Sequence, residues 1–269
     1  MASVVARYAV NHLSAFTSFP GREGKSPALA LKSLEVFISP CVVAFPPFPP
    51  RSNDSSHAHA AVALINPANE RLEGAKFSPG DAHKYLPPLA GGDAFRYPLV
   101  YPEQCVDGLV HEAAGARLAA ALAADYPVLK GEERERIRCR PGRAAVSRSY
   151  GGLVQNFGSI VHAVAPRFDV GVDVAAWRTR LTSTWHSALS KAHESGATFA
   201  VSPLLGSGGL GAPYADAADV AASAALSWRG HDDGASPTTA LALQIVVQDD
   251  ADADTLVGAI EARGATRID

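Results

Sequence analysis

Between Ala144 and Arg263, short apolar runs rich in β-branched residues alternate with segments whose apolar residues recur at three- and four-residue steps. That alternation restricts the chain to a largely parallel sheet covered by helices on both faces. Strands are predicted at Ala144–Arg148, Ser159–Val164, Ala197–Leu205 and Ala240–Val247, and helices at Val174–Glu194, Asp216–Trp228 and Asp252–Arg263. In the longest helix Trp177, Leu181, Trp185 and Leu189 fall on one stripe, which reads as core. Upstream, Leu34–Ile38 reads as a strand extending no further than Phe45, Ala60–Ile65 as a buried strand, and Val106 to Ala124 as a helix.

The rest of the chain interrupts this alternation. Phe45–Ser56 is rich in proline, serine and asparagine, which remove donors and favour turns, so it reads as a loop insertion. Arg71–Gln104 carries scattered Pro and Gly and reads as a long irregular excursion, a length that usually accompanies a functional lid or a disordered segment. Gly131–Arg140 is dense in alternating charge and reads as a solvated helix face. The expected organisation is an N-terminal extension over residues 1–33, then one domain over 34–269 with insertions near 46–59 and 71–104. Met1–Pro20 contains Arg7, several small or hydroxylated residues and no acidic group. Its composition is compatible with an organellar targeting segment; against that, Val4–Leu13 reads more simply as an amphipathic first helix.

Composition excludes several classes. With 27 acidic and 24 basic side chains the formal charge is −3, which gives no electrostatic case for a general nucleic-acid binder. No apolar run approaches the ~18 to 20 residues of a membrane span. The cysteines, Cys41, Cys105 and Cys139, are an odd number without CxxC spacing, which favours a reducing, intracellular and most simply cytoplasmic setting over a disulfide scaffold or zinc site. Cys105 has no basic neighbour in sequence to activate a thiol.

Two loops carry the functional signal. Asn66-Pro67-Ala68-Asn69 follows the strand ending at Ile65, and Gly206-Ser207-Gly208-Gly209-Leu210-Gly211 follows the strand ending at Leu205. Strand ends are where open α/β sheets bind ligands. Four glycines in the second loop permit positive φ and leave main-chain N–H groups uncovered, and the helix after it adds a partial positive charge, so the loop fits a pyrophosphate. No Lys-Ser or Lys-Thr follows the last glycine, so it is not a Walker loop.

Five segments in order resemble the macrodomain family of ADP-ribose-binding modules. Ala63–Asn69 resembles its strand leading into an Asn-x-Ala-Asn turn, and Val106–Gly115 its Val-Asp-Gly-x-Ile-His-x-Ala-Gly helix start. Cys139–Ala144 sits where the family has a Cys-x-Thr-Gly-x-Ala turn, Phe157–Pro166 resembles the strand ending in His-x-Val-x-Pro, and Ser207–Pro213 resembles the phosphate loop. The resemblance implies a three-layer α/β fold with a mixed, mostly parallel sheet between helices. It also implies ADP-ribose or an ADP-ribosylated protein as partner, with no cofactor and no metal.

Residue by residue, the resemblance to MacroD-type hydrolases implies catalytic roles for Asn69, facing distal ribose hydroxyls, and for Asp107, placing or activating a water. It implies ligand contacts at Asn66, Ala68, Val106, Gly108, Ser207, Gly208, Gly209, Leu210 and Gly211. From the residues alone, Asn66 is expected to fix the turn, Asp107 has an alternative role as a helix N-cap or first-turn partner, and His111 reads as a satisfied core histidine. His57 and His59 form only an H-x-H in the proline-rich insertion.

Three departures bear on activity. The hydrolase pattern joins its asparagine and aspartate through a short glycine run, whereas 38 residues separate Asn69 from Asp107, ending in Pro102-Glu103-Gln104-Cys105. Near the end of the early strand, Ser39-Pro40-Cys41-Val42 lacks the family's adenine-recognising carboxylate, and Asp54 and Asp81, in the insertions, are the candidates to replace it. Leu210 stands where an aromatic is common. Two functions follow, a hydrolase of an ADP-ribosyl ester and a reader that binds without turnover. A Rossmann dehydrogenase is disfavoured, since no GxGxxG follows the first strand.

Overall fold

The computed structural model describes residues 3–9, 31–39, 41–43, 61–75, 105–229 and 240–268. The expectations for residues 10–20, for the insertion over 46–59 with Asp54, His57 and His59, and for 76–104 with Asp81 lie outside them. The strands are β1 (Ser3–Ala9), β2 (Ser33–Ile38), β3 (Val62–Ala68), β4 (Arg143–Arg148), β5 (Ser159–Val164), β6 (Phe199–Pro203), β7 (Ala242–Val247) and β8 (Thr266–Arg267). The helices are α1 (Val106–Ala114), α2 (Ala116–Asp125), α3 (Val174–Glu194), α4 (Tyr214–Ser227) and α5 (Asp250–Glu261).

One sheet runs in the order β4-β5-β3-β6-β7-β2-β1-β8. Its centre, β5 through β2, is parallel; β4 and β1 run against it, and β8 pairs antiparallel with β1. The sheet is therefore mixed and mostly parallel, between two helical layers. Side chains alternate across it with period two. In β3, Val62, Leu64 and Ala68 join the core beneath α1 and α2, while Ala63 and Ile65 join the core containing α3, α4 and α5. The α3 stripe of Trp177, Leu181, Trp185 and Leu189 is wholly buried in that second core.

Four segments depart from expectation. Ser3–Ala9 is a strand of the sheet, so residues 3–9 lie within it; Ala6 and Tyr8 are buried with exposed Arg7 between them, a period of two that a helix would not give. Arg7 lies opposite Glu35 on β2 at 3.5 Å. The expected helix to Ala124 is two helices, because Gly115 adopts φ +71 between them. Residues 131–140 form turns, not a helix, with Gly131 and Arg136 at positive φ. Their backbone is used elsewhere, since the N–H groups of Arg138 and Cys139 both donate to the Glu70 carbonyl and tie this loop to the one after β3.

The fourth departure shapes the site. β3 does not stop at Ile65 but pairs onward with β5 through Ala68, so Asn66 is a strand residue directly beside His162. Pairing of β3 with β6 ends at Leu64 and Val201; β3 continues against β5, and β6 continues against β7 as far as Pro203. Past Leu64 the β6 side of β3 is unpaired, which accommodates Pro67 and its missing donor. From β3 the chain leaves through α1 and α2 toward β4, and from β6 through α4 toward β7 on the other side. The β3/β6 gap is thus a topological switch point, where open α/β sheets bind ligands.

Candidate functional site

The layer between α1 and the sheet holds a connected set of polar side chains. Asn66 on β3 and His162 on β5 are register partners, and Ser147 on β4 shares the face of Ala145, the register partner of His162. Ser147 Oγ lies 3.0 Å from His162 Nε2, and His162 Nδ1 lies 3.4 Å from Asn66 Nδ2. Asn66 Nδ2 donates to Asp107 Oδ1 at 2.7 Å, and Asn69 Nδ2 donates to Asp107 Oδ2 at 3.3 Å. Asn66, Asp107 and His162 are each 0 % exposed.

Asp107 enters this layer from the first turn of α1, whose N-cap, Cys105, supplies no side-chain cap. Burial pushes its carboxyl above the ordinary range, opposed by the Asn66 amide, then by His111 and by main-chain groups of Ala75 and Asn69. His111, one turn along α1, brings Nε2 to 3.7 Å from Asp107 Oδ1. Burial holds its pKa below the usual histidine value, with Asp107 acting the other way. It is not the satisfied core histidine expected: buried Nε2 has no hydrogen-bond partner among the described residues. Desolvation, with His111 adding to it, lowers His162 to about 3, so that ring is neutral near neutral pH.

The two asparagines divide their work differently from the expectation. Asn66 does not fix the turn; it is buried within β3 and holds Asp107. The turn belongs to Asn69, whose Oδ1 accepts from the N–H groups of Arg71 at 3.0 Å and Glu73 at 3.4 Å while its amide faces Asp107. The chain after this turn passes over α1, where Gly74, at φ +77, packs so closely on His111 that a Cβ would sit 2.7 Å from the ring. Ala68 is buried, and Val106 and Gly108 are half-buried beside Asp107 in α1. Burial raises the Cys105 thiol pKa, which disfavours a thiolate there.

The glycine loop occupies the neighbouring strand end. Gly206, Gly208 and Gly211 adopt φ of 91, 61 and 84°. Ser207 Oγ turns back to the Leu204 carbonyl at 2.9 Å, and the Leu210 carbonyl accepts from Phe168 N at 2.8 Å. No main-chain carbonyl among the described residues accepts from the N–H groups of Ser207, Gly208 or Gly209. Gly208 is exposed and nothing lies within 4 Å of where its Cβ would be, so these donors have room for an anion. Helix α4 begins three residues past the loop, at Tyr214, without a side-chain N-cap. The Asn66–Asn69 cluster and this loop thus flank the same gap, at the adjacent ends of β3 and β6. Among the described residues no three potential metal ligands converge.

His162 and Ser147 were not singled out from the sequence, because their proximity to Asn66 depends on strand register. The Asp107–His111 contact had a local signal, the i, i+4 spacing on one helix face.

The Macro domain family profile matches residues 65–221, more than half of the chain. No curated protein matches it by sequence. Among solved structures, an Oceanobacillus iheyensis macrodomain with ADP superposes with a TM-score of 0.55 at 16% identity, covering 86% of this chain and 91% of that one. A Trypanosoma brucei macrodomain in complex with ADP gives 0.52 at 15%, covering 84% and 68%. The macro domain of ganglioside induced differentiation associated protein 2 gives 0.50 at 17%, covering 84% and 81%. At these identities the likeness is one of fold.

Proposed function

We propose, from the premise that the chain belongs to the Macro domain family, that it binds ADP-ribose across the β3/β6 gap and hydrolyses an ADP-ribosyl ester. The observation that carries the reading is the side-by-side placement of Asn69 and Asp107, 38 residues apart in sequence, at the strand end next to the glycine loop. The ADP bound in the Oceanobacillus and Trypanosoma macrodomain structures supports the nucleotide half of the reading. In it, the N–H groups of Ser207, Gly208 and Gly209 take the diphosphate, Leu210 and Gly211 shape the loop, and Ala68, Val106 and Gly108 wall the ribose end. Asn66 contributes by holding Asp107.

The substrate is an ester on the anomeric carbon of the distal ribose, joining it to the carboxylate of an Asp or Glu of a protein or to acetate. Water's oxygen bonds to that carbon as the carbon–oxygen bond to the carboxylate breaks. The departing carboxylate keeps the electron pair and, being a stable anion near neutral pH, needs little acid assistance. The water's proton passes to Asp107, made more basic by burial, or to a substrate phosphate. Holding the diphosphate orients the ribose for this attack.

One observation favours the second reading, a reader that binds ADP-ribose without turnover: the Asp107 carboxylate is wholly buried and already accepts from two side-chain amides. Calorimetric titration with ADP-ribose, followed by turnover of a mono-ADP-ribosylated substrate by the parent and by Asp107→Asn, separates the two. Binding with turnover that the variant loses supports the hydrolase. Binding without turnover supports the reader, and absence of binding defeats both.

A further inference from the structure

The geometry points to His162 and Ser147 as positioning residues for Asp107, acting through Asn66 along a hydrogen-bond chain that fixes one imidazole tautomer and so fixes which way the Asn66 amide faces. The kinetic consequence rests on the proposed hydrolase; the tautomer does not.

Donor logic sets the direction of the chain. The Asn66 amide nitrogen has two hydrogens and cannot accept. One hydrogen points to Asp107 Oδ1 at 2.7 Å and the other to His162 Nδ1 at 3.4 Å. Nδ1 therefore carries no proton, and the neutral ring carries its proton on Nε2, which donates to Ser147 Oγ at 3.0 Å. Asn66 Oδ1 is buried and has no hydrogen-bond partner among the described residues, so the amide's orientation depends on its two donor contacts alone. With a proton on Nδ1, donor would meet donor. Turning the amide over to relieve that would set its oxygen against the Asp107 carboxylate, acceptor facing acceptor between buried side chains. Ser147 prevents this by giving Nε2–H an acceptor, and its place on β4, diagonal to His162 on the same sheet face, is set by register. Burial, which lowers the His162 pKa, acts in the same sense by keeping the ring neutral.

The first test is nitrogen NMR of the 15N-labelled full chain from about pH 5 to about pH 8, the range in which an ordinary imidazole titrates. A bare Nδ1 and a protonated Nε2 on His162 throughout are expected; an Nδ1–H tautomer or an imidazolium overturns the inference. The second test compares His162→Leu with His162→Gln, whose Oε1 can accept from Asn66 and whose Nε2 can donate to Ser147. Turnover is expected to fall about tenfold in the Leu variant with ADP-ribose affinity changed less than about threefold, and to recover most of that loss in the Gln variant. Equal losses in both, or a loss confined to affinity, overturn it. Should His162→Leu not fold, Ser147→Ala is read by NMR: a rise in the Nδ1–H population supports the chain and an unchanged ring overturns it. A parent that binds without turnover removes the hydrolase reading, and the His162 tautomer and Asn66 amide resonances still decide this inference.

Discussion

Asn66 Nδ2 lies 2.7 Å from Asp107 Oδ1, and both side chains are excluded from solvent although 41 residues separate them in the chain. A buried carboxylate is tolerable only where donors replace its hydration, and Asn66 makes the shorter of its two side-chain amide contacts. Asn66→Leu removes the donor while leaving the volume filled. We expect a loss of about 2 to 3 kcal/mol in urea unfolding at neutral pH, the cost of stranding a charged acceptor. An unchanged midpoint would mean that Asp107 is held by its other partners.

His162 predicts a pH dependence of stability. Its folded pKa, about 3, lies below the ordinary value of 6.5, so the folded state binds fewer protons than the unfolded chain between those limits. Its contribution is fully present above 6.5 and is lost as pH falls toward about 3. The slope approaches about 1.4 kcal/mol per pH unit within that window. His162→Gln does not titrate, and urea unfolding between about pH 6 and about pH 4 should lose this share of the slope. Equal slopes in parent and variant would mean that the ring is accessible and titrates normally.

The fold was legible where local pattern and tertiary packing agree. β5 falls on Ser159–Val164 and α3 on Val174–Glu194, as expected, because β5 is a short run buried on both faces and α3 is buried along the stripe its own sequence marks. β1 was not legible: residues 3–9 read as part of a targeting segment or a helix, and their strand is defined only by pairing with β2 and β8, far away in sequence. The charged loop at 131–140 has a helical charge pattern, yet its N–H groups serve the Glu70 carbonyl. The site was half legible. Its segments could be read from motif, but the roles of Asn66 and Asn69 depend on the β3/β5 register that puts His162 beside Asn66.

The glycine loop separates a folding requirement from a binding one. A Cβ on Gly211 would come within 2.9 Å of the Phe168 carbonyl oxygen, which the neighbouring backbone cannot yield, whereas a Cβ on Gly208 meets nothing within 4 Å. Both have positive φ, costing an alanine about 1 to 2 kcal/mol. Gly211→Ala should therefore melt well below Gly208→Ala. Gly208→Ala should retain most of the parent's stability while weakening ADP-ribose binding, because its methyl occupies the open side of the loop. Calorimetry on Gly208→Ala checks the binding role, and parental affinity would move the diphosphate away from this loop.

Asn69 has two separable jobs, and two substitutions divide them. Its Oδ1 holds the turn through Arg71 N and Glu73 N, and its Nδ2 faces Asp107 Oδ2 at 3.3 Å. Asn69→Ala removes both, and a lost side-chain cap of this kind costs about 1 kcal/mol. Asn69→Asp keeps the acceptor for the turn but replaces the donor with a second carboxylate facing Asp107. Like charges at that separation cannot both ionise, so the pair should share a proton and the Asp107 pKa should rise further above its ordinary value. Stability should then hold near the parent's value below the carboxylate range and fall as pH rises through the raised pKa, since only the folded state retains that proton. If Asn69 matters only for the turn, Asn69→Asp will match the parent at every pH in unfolding and in ADP-ribose titration. If the amide facing Asp107 matters, Asn69→Asp will lose affinity or turnover at neutral pH as severely as Asn69→Ala, even though its turn is intact.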